Sequence, residues 1–275
     1  MGVLNNSVKQ FLFITDLDYT LVGDDQAMAK LNERLKVHRQ THHTKIVYST
    51  GRSLFLYQKL TDEKTLLEPD VLICAVGTEI YYGGSNTPDS KWSDKLSEGW
   101  DKGLVVQISE VFPKLKLQPE SEQRPFKVSY FLEEKISGDF LSDLESRLLE
   151  QGLDIQVIYS LGSSAHINSL SGVYEQGKDL EIPVLDILPR KANKGMAMTF
   201  VRENLEIDVA QTVACGDSGN DISLFADRKE KGIIVGNAKQ ELLEWHKAHP
   251  NENRYLAKAN FATGIEEGLE YFGFL

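Results

Sequence analysis

The chain has 275 residues, 41% hydrophobic and 26% charged, a globular balance that argues against extensive disorder. Its 30 basic and 41 acidic residues leave a formal charge of −11, which repels a nucleic-acid backbone or an anionic membrane and argues against both as partners. No apolar run reaches the ~20 residues that a bilayer span needs, and the opening MGVLNNSVKQ lacks a basic stretch followed by a long apolar one, so a cytoplasmic location is expected.

In chain order, Phe11–Thr15 reads as a buried strand, followed by a helix from about Gln26 to Gln40 with Met28, Leu31, Leu35 and His38 on one stripe. Lys45–Ser49 is a second strand with a helix after Ser53, and Val71–Val76 is a third strand. Near the other end, Thr212–Cys215 and Gly232–Val235 are strands that each lead into a helical pattern. Continuous apolar strands alternating with helices predict a mainly parallel sheet covered on both faces. Cys74 and Cys215 fall inside such strands, so reduced, buried thiols are expected rather than a disulfide.

The middle of the chain has a different rhythm. A Gly, Ser, Asn and Pro-rich loop precedes a helix spanning roughly Asp94 to Phe112, then an alternating strand Phe126–Phe131 and a helix near Gly138–Glu150. Ile155–Tyr159 and Val184–Leu188 are further strands, and the segment Leu161–Ile182 between them reads as a long hairpin loop or flap. Period-two alternation predicts an open antiparallel sheet with helices on one side. The fold class expected is α/β: a doubly wound, mainly parallel sheet over residues 1–83 and 190–275, with an α+β domain inserted at 84–189.

Four short segments fall at or just beyond the carboxyl ends of core strands, where open α/β sheets hold ligands. They are Asp16-Leu-Asp18-Tyr-Thr20, Ser49-Thr50-Gly51-Arg52, Asn193-Lys194-Gly195 and Gly216-Asp217-Ser-Gly-Asn220-Asp221. Their carboxylates, hydroxyls, ammonium and glycines suit Mg²⁺-assisted phosphoryl transfer: hard oxygen ligands, a carboxylate nucleophile, a proton shuttle and a cation for phosphate. Each segment taken singly has an ordinary alternative. Asp16 and Asp18 could be turn residues, Thr50-Gly51 a strand-to-helix turn, Lys194 a helix-start lysine, and Asn220 or Asp221 a helix cap. All four in order at the expected boundaries favour catalysis.

The set resembles, in order and type, the four motifs of haloacid-dehalogenase (HAD) superfamily phosphatases, and the insert resembles their C2B cap. ITDLDYTLVGDD, YSTGRS, AVGTEIYY, PFKVSYFL, NKG and VACGDSGNDISLF further resemble the sucrose-phosphate phosphatase family of cyanobacteria and plants. That resemblance implies Asp16 as the nucleophile that becomes an aspartyl-phosphate and Asp18 as general acid, then general base. It implies Mg²⁺ held by the Asp16 and Asp217 carboxylates and the Asp18 backbone carbonyl, with Asp221 orienting a bound water or pairing with Lys194. Thr50 and the Gly51 N–H would bind phosphoryl oxygens, and Lys194 would offset charge on phosphorus. Glu79, Lys127 and Asn220 would meet sugar hydroxyls; each could instead be a solvated strand-end acid, a surface lysine or a helix cap. Gln123, Arg124 and Arg190 are weaker candidates near the mouth of the insert. The implied substrate is sucrose 6F-phosphate, with mannosylfructose phosphate or glucosylglycerol phosphate as alternatives and a phosphosugar mutase less favoured. A sucrose-phosphate synthase is the one macromolecular partner the resemblance suggests.

Overall fold

The computed structural model describes residues 10–132, 134–162 and 182–275. The chain divides into two compact units, one formed by Met1–Asp89 with Asn193–Leu275 and the other by Ser90–Ala192. These ranges stand beside the sequence expectation of an insert at 84–189.

The first unit holds a seven-stranded sheet. Its strands are β1 (Leu12–Thr15), β2 (Lys45–Ser49), β3 (Val71–Cys74), β4 (Glu79–Tyr82), β9 (Thr212–Gly216), β10 (Lys231–Ile234) and β11 (Arg254–Leu256), in the order β11-β10-β9-β1-β2-β3-β4. All neighbours run parallel except the β3–β4 pair. Helices α1 (Asp25–His42), α2 (Leu54–Glu63), α6 (Lys194–Asn204), α7 (Ile222–Phe225), α8 (Gln240–Ala248) and α9 (Phe261–Tyr271) belong to the same unit. The central strands are buried at every position: LFIT in β1, VLIC in β3 and TVACG in β9. That is what burial of both faces demands of a parallel sheet. Cys74 and Cys215 are buried free thiols, as expected.

The sheet winds outward from β1 in both directions, through β2 and β3 on one side and β9 and β10 on the other. The gap between β1 and β9 is therefore the topological switch point, where the crossovers diverge and leave a crevice at the strands' carboxyl ends. Thr15 pairs with Cys215, so Asp16 and Asp217, which follow one and two residues on, emerge side by side.

The second unit carries an antiparallel sheet, β5-β6-β8-β7, built from β5 (Leu115–Leu117), β6 (Val128–Leu132), β7 (Ile155–Gly162) and β8 (Ile182–Pro189). Val128, Tyr130, Leu132, Ile155, Leu185 and Ile187 pack with residues of α4 (Lys102–Ser109) and α5 (Gly138–Glu150) in one apolar cluster. Ser129 and Asp186, a cross-strand pair, take the opposite face. The single helix expected over roughly Asp94–Phe112 is two: α3 (Ser90–Ser97) and α4, separated at Gly99, whose φ of +73° ends the first, and Asp101, which caps the second by accepting from the Leu104 amide. Three short strands, β4, β5 and β11, add to those expected from the sequence. The flap expected at Leu161–Ile182 falls, over 163–181, outside the described residues.

Candidate active site

β1 ends by delivering Asp16, whose amide continues the ladder by donating to the Cys215 carbonyl at 3.0 Å. β9 ends at Gly216, followed by Asp217 and a short turn of helix over Gly219–Asp221. Gly216 is required by crowding: a Cβ there would lie 2.5 Å from the Asp221 Cβ. Asp221 bends back over this loop, its Oδ2 accepting from the amides of Asp217 and Ser218 at 3.0 and 3.1 Å. Its other oxygen, Oδ1, is left to face Lys194.

Lys194 opens α6, a helix whose cap is Asn193, accepting from the Met196 amide at 2.8 Å. Gly195 lets that helix approach the fourth motif, since a Cβ there would lie 1.9 Å from the Ser223 carbonyl oxygen. The Lys194 ammonium, fully buried, donates to Asp16 Oδ1 at 2.7 Å and Asp221 Oδ1 at 2.6 Å. Thr20 Oγ1 spans the remaining carboxylates, 3.0 Å from Asp217 Oδ1 and 3.5 Å from Asp16 Oδ2. Asp16, Lys194, Asp217 and Asp221 thus form one buried cluster.

Its electrostatics are unbalanced. Burial, together with the charges of Asp221, Asp217 and Asp18, pushes the Asp16 carboxyl well above the usual range against the pull of Lys194. Burial and Asp221 raise Asp217 to about 6, despite its hydrogen bond from Thr20. Burial alone would lower Lys194, but Asp16 and Asp221 outweigh it and hold the ammonium above the ordinary lysine value. The lysine is a fixed cation, and it is outnumbered. Asp16, Asp217 and Asp221 offer oxygens that all lie within 4.8 Å of one another. With all three buried carboxylates ionised, one ammonium leaves two negative charges, and an all-oxygen donor set of that charge fits a hard divalent cation such as Mg²⁺ in place of the protons.

The other expected residues occupy distinct places. Thr50 is buried at the end of β2, its Oγ1 accepting from the Arg52 amide at 3.1 Å, and Gly51 follows in the turn before α2. The Asp18 carboxylate is not part of the Asp16 cluster; it pairs with Arg52 through two hydrogen bonds of 2.8 and 2.7 Å. Glu79 is buried at the start of β4, opposite Cys74, and accepts from the Tyr81 hydroxyl at 2.8 Å. Asn220 is exposed on the turn after Asp217, its Oδ1 accepting from Ser218 Oγ at 3.1 Å. Lys127, in the second unit, is buried with its ammonium 3.6 Å from Asp186, which also accepts from Ser129 Oγ at 2.6 Å. The carboxylates do not line the cavity of about 330 Å³ that Tyr57, Leu66, Leu72 and Tyr81 help to form beside β3. Charge, not volume, marks this site.

Sequence reasoning gave no role to Arg52, Ser129 or Asp186. Arg52 stood inside a quoted motif, but only the fold brings its guanidinium to Asp18. Asp186 is a single acid in the apolar run Val184–Leu188, and nothing local says that Ser129 lies opposite.

Comparison with known proteins bears on this geometry. The family model described as sucrose-6F-phosphate phosphohydrolase matches residues 9–273. A probable sucrose-phosphatase 2 of Arabidopsis thaliana is 38% identical over 275 residues, covering 97% of this chain and 60% of the relative. The chain therefore spans less than two thirds of that plant relative's length. The mannosylfructose-phosphate phosphatase of Agrobacterium fabrum is 29% identical, covering 95% of this chain and 96% of its own. Among solved structures, the sucrose-phosphatase of Synechocystis, in complex with sucrose and phosphate, superposes with a TM-score of 0.81 at 36% identity, covering 97% of this chain and 99% of that one.

Proposed function

This chain belongs to the sucrose-6F-phosphate phosphohydrolase family, and from that premise we propose that it hydrolyses sucrose 6F-phosphate to sucrose and inorganic phosphate. The observation that carries the reading is the buried cluster of Asp16, Asp217, Asp221 and Lys194 at the sheet's switch point. A carboxylate nucleophile, a fixed cation and spare negative charge for a divalent ion are the parts that phosphoryl transfer uses.

In this mechanism an Asp16 carboxylate oxygen attacks phosphorus while the bond from phosphorus to the sugar oxygen breaks. Asp18 gives its proton to that leaving oxygen. Water then attacks the phosphorus of the aspartyl-phosphate, Asp18 takes the water's proton, and the Asp16 carboxylate is restored as phosphate leaves. Lys194, held at 2.7 Å from Asp16, counters charge gathering on the transferred group. Thr50 and the Gly51 amide bind phosphoryl oxygens. Asp16, Asp217, the Asp18 carbonyl and Asp221 would hold Mg²⁺, which when bound neutralises phosphoryl charge and favours the ionised form of Asp16. Glu79, Asn220 and Lys127 would each pair with sugar hydroxyls, Lys127 held in place by Asp186. A site built to pair hydroxyls rejects analogues that leave its buried groups unpaired.

The test is phosphate release from sucrose 6F-phosphate, mannosylfructose phosphate and glucosylglycerol phosphate, with and without Mg²⁺, Asp16→Asn serving as the inactive control. Fastest turnover of sucrose 6F-phosphate is expected. The likeness to the Agrobacterium phosphatase over nearly its whole length makes mannosylfructose phosphate the second reading, and faster turnover of that ester would replace the first. Equal rates on all three would remove the specificity claim.

A further inference from the structure

Asp18 is the one carboxylate of the four motifs that stands outside the buried cluster. Its side chain is 38% exposed, whereas those of Asp16 and Asp221 are 7% and 0% exposed. A half-exposed aspartate would ordinarily sample several rotamers. A group that must hand a proton to one oxygen and then take one from water at the same place cannot do so.

What fixes Asp18 is Arg52. Its Nε donates to Asp18 Oδ2 at 2.8 Å and its Nη2 to Oδ1 at 2.7 Å, a planar fork that sets the carboxylate's position and its plane together. The arginine is itself anchored at three further points. Its Nη1 donates to the Leu56 carbonyl in α2 at 3.3 Å, its amide to Thr50 Oγ1 at 3.1 Å, and its carbonyl accepts from the Ala75 amide at 2.8 Å. The Ala75–Gly77 turn is unusual in its own right: φ is positive at Ala75, Val76 and Gly77 (49°, 61° and 95°), a costly conformation for a β-branched valine. The Val76 amide of that turn also donates to the Thr50 carbonyl at 3.1 Å. One rigid assembly therefore carries the phosphate-binding turn and the partner of the proton shuttle.

We infer that Arg52 is a positioning residue for Asp18, acting on the step in which the leaving oxygen is protonated. This rests on the reading of Asp18 as general acid and base. The fork occupies one lone pair on each carboxylate oxygen, and a carboxylate has about four such sites. Pairing with Arg52 and exchange of a proton with substrate or water are therefore compatible.

The two kinds of leaving group separate this role from others. An alkoxide, as in a sugar phosphate, needs a proton to depart; nitrophenolate does not. Arg52→Gln, which removes the charge and the fork, and Arg52→Lys, which keeps the charge alone, are compared with the unaltered protein in Mg²⁺. The measurements are kcat and KM on sucrose 6F-phosphate and the single-turnover burst of nitrophenol from p-nitrophenyl phosphate. Arg52→Gln is expected to lower kcat on the sugar phosphate about 10- to 100-fold, a partial loss of the roughly 10²–10⁴-fold that general acid catalysis supplies, with KM little changed. Its effect on the nitrophenol burst should be at least tenfold smaller. Arg52→Lys should recover only part of the loss.

An equal fractional loss on both esters would overturn the inference, since a contact to phosphate or a purely structural role spares neither. Full rescue by Arg52→Lys would also overturn it, because charge without geometry would then suffice. If the unaltered protein leaves sucrose 6F-phosphate intact, the substrate reading fails separately. The same contrast is then measured with fructose 6-phosphate as the alkyl ester.

Discussion

Lys194 is a buried ammonium whose two bonded partners, Asp16 and Asp221, are buried carboxylates. Removing it leaves both charges in place without their counter-ion, which costs roughly 3–5 kcal/mol when one partner of a buried pair is deleted. Lys194→Met, of similar length, is therefore expected to lower the denaturant midpoint and to reduce phosphate release by more than about 10²-fold. A stable, active variant would show that the cluster does not depend on its ammonium. Asp217 carries the corresponding pH argument. Its folded-state value, about 6, lies above the ordinary 3.8, so the native state holds this proton more tightly than the unfolded chain does. Stability from this group is full below about pH 4, declines as pH rises towards 6 and is lost above it. A divalent ion that replaces the proton should reverse that trend, so Mg²⁺ is expected to raise the melting temperature more at pH 7 than at pH 5. A gain no greater at pH 7 would disconnect Asp217 from the ion.

At the scale of elements, the break between α3 and α4 shows how a periodic signal is overruled by a local one. Apolar residues recur across Asp94–Phe112 at helical spacing, yet Gly99 takes a left-handed conformation and Asp101 begins a new helix. Both punctuation marks were in the sequence, Gly where a helix ends and Asp where one starts. What the sequence could not show is why the chain stops there: a Cβ on Gly99 would come within 2.9 Å of the Asp154 Cβ, and the Asp154 amide donates to the Gly99 carbonyl at 2.8 Å. Gly99→Ala is expected to cost about 1–2 kcal/mol through its positive φ and this contact, read as a lower midpoint in denaturant. The strands β5 and β11 escaped sequence reading for another reason. Each has three residues, too few for a period-two pattern, and each exists because a neighbouring strand offers it a ladder.

For the molecule as a whole, every member of the carboxylate cluster, with Thr50, Arg52 and Glu79, lies in the unit formed by Met1–Asp89 and Asn193–Leu275. The two points where the chain leaves and re-enters that unit are both tied to the β3–β4 region. The Asp89 amide donates to the Ile80 carbonyl at 2.8 Å, and a Cβ on Gly77 would lie 2.6 Å from the Asn193 carbonyl carbon. A short Gly-Ser linker in place of 90–192 is therefore expected to give a shortened chain that folds. It should hydrolyse p-nitrophenyl phosphate but no longer distinguish one sugar phosphate from another. Retained discrimination would move specificity into the first unit.

The sequence by itself determined the class of fold and the identity of the chemical groups. Apolar runs of strand length alternating with amphipathic helices admit few arrangements, and three of the four motif segments follow a core strand, whereas Asn193-Lys194-Gly195 opens a helix. Continuity along the chain makes those features local, so they are legible in one dimension. Tertiary structure decided which of those groups meet. Lys194 reaches Asp16 across 178 positions and Asp221 across 27, Arg52 takes Asp18 out of the carboxylate cluster, and Asp186 finds Ser129 and Lys127 through strand register. Contacts of 2.6 to 3.6 Å between residues far apart in sequence are set by sheet order and packing, and a side chain's partner is a property of that three-dimensional arrangement, not of its neighbours in the chain.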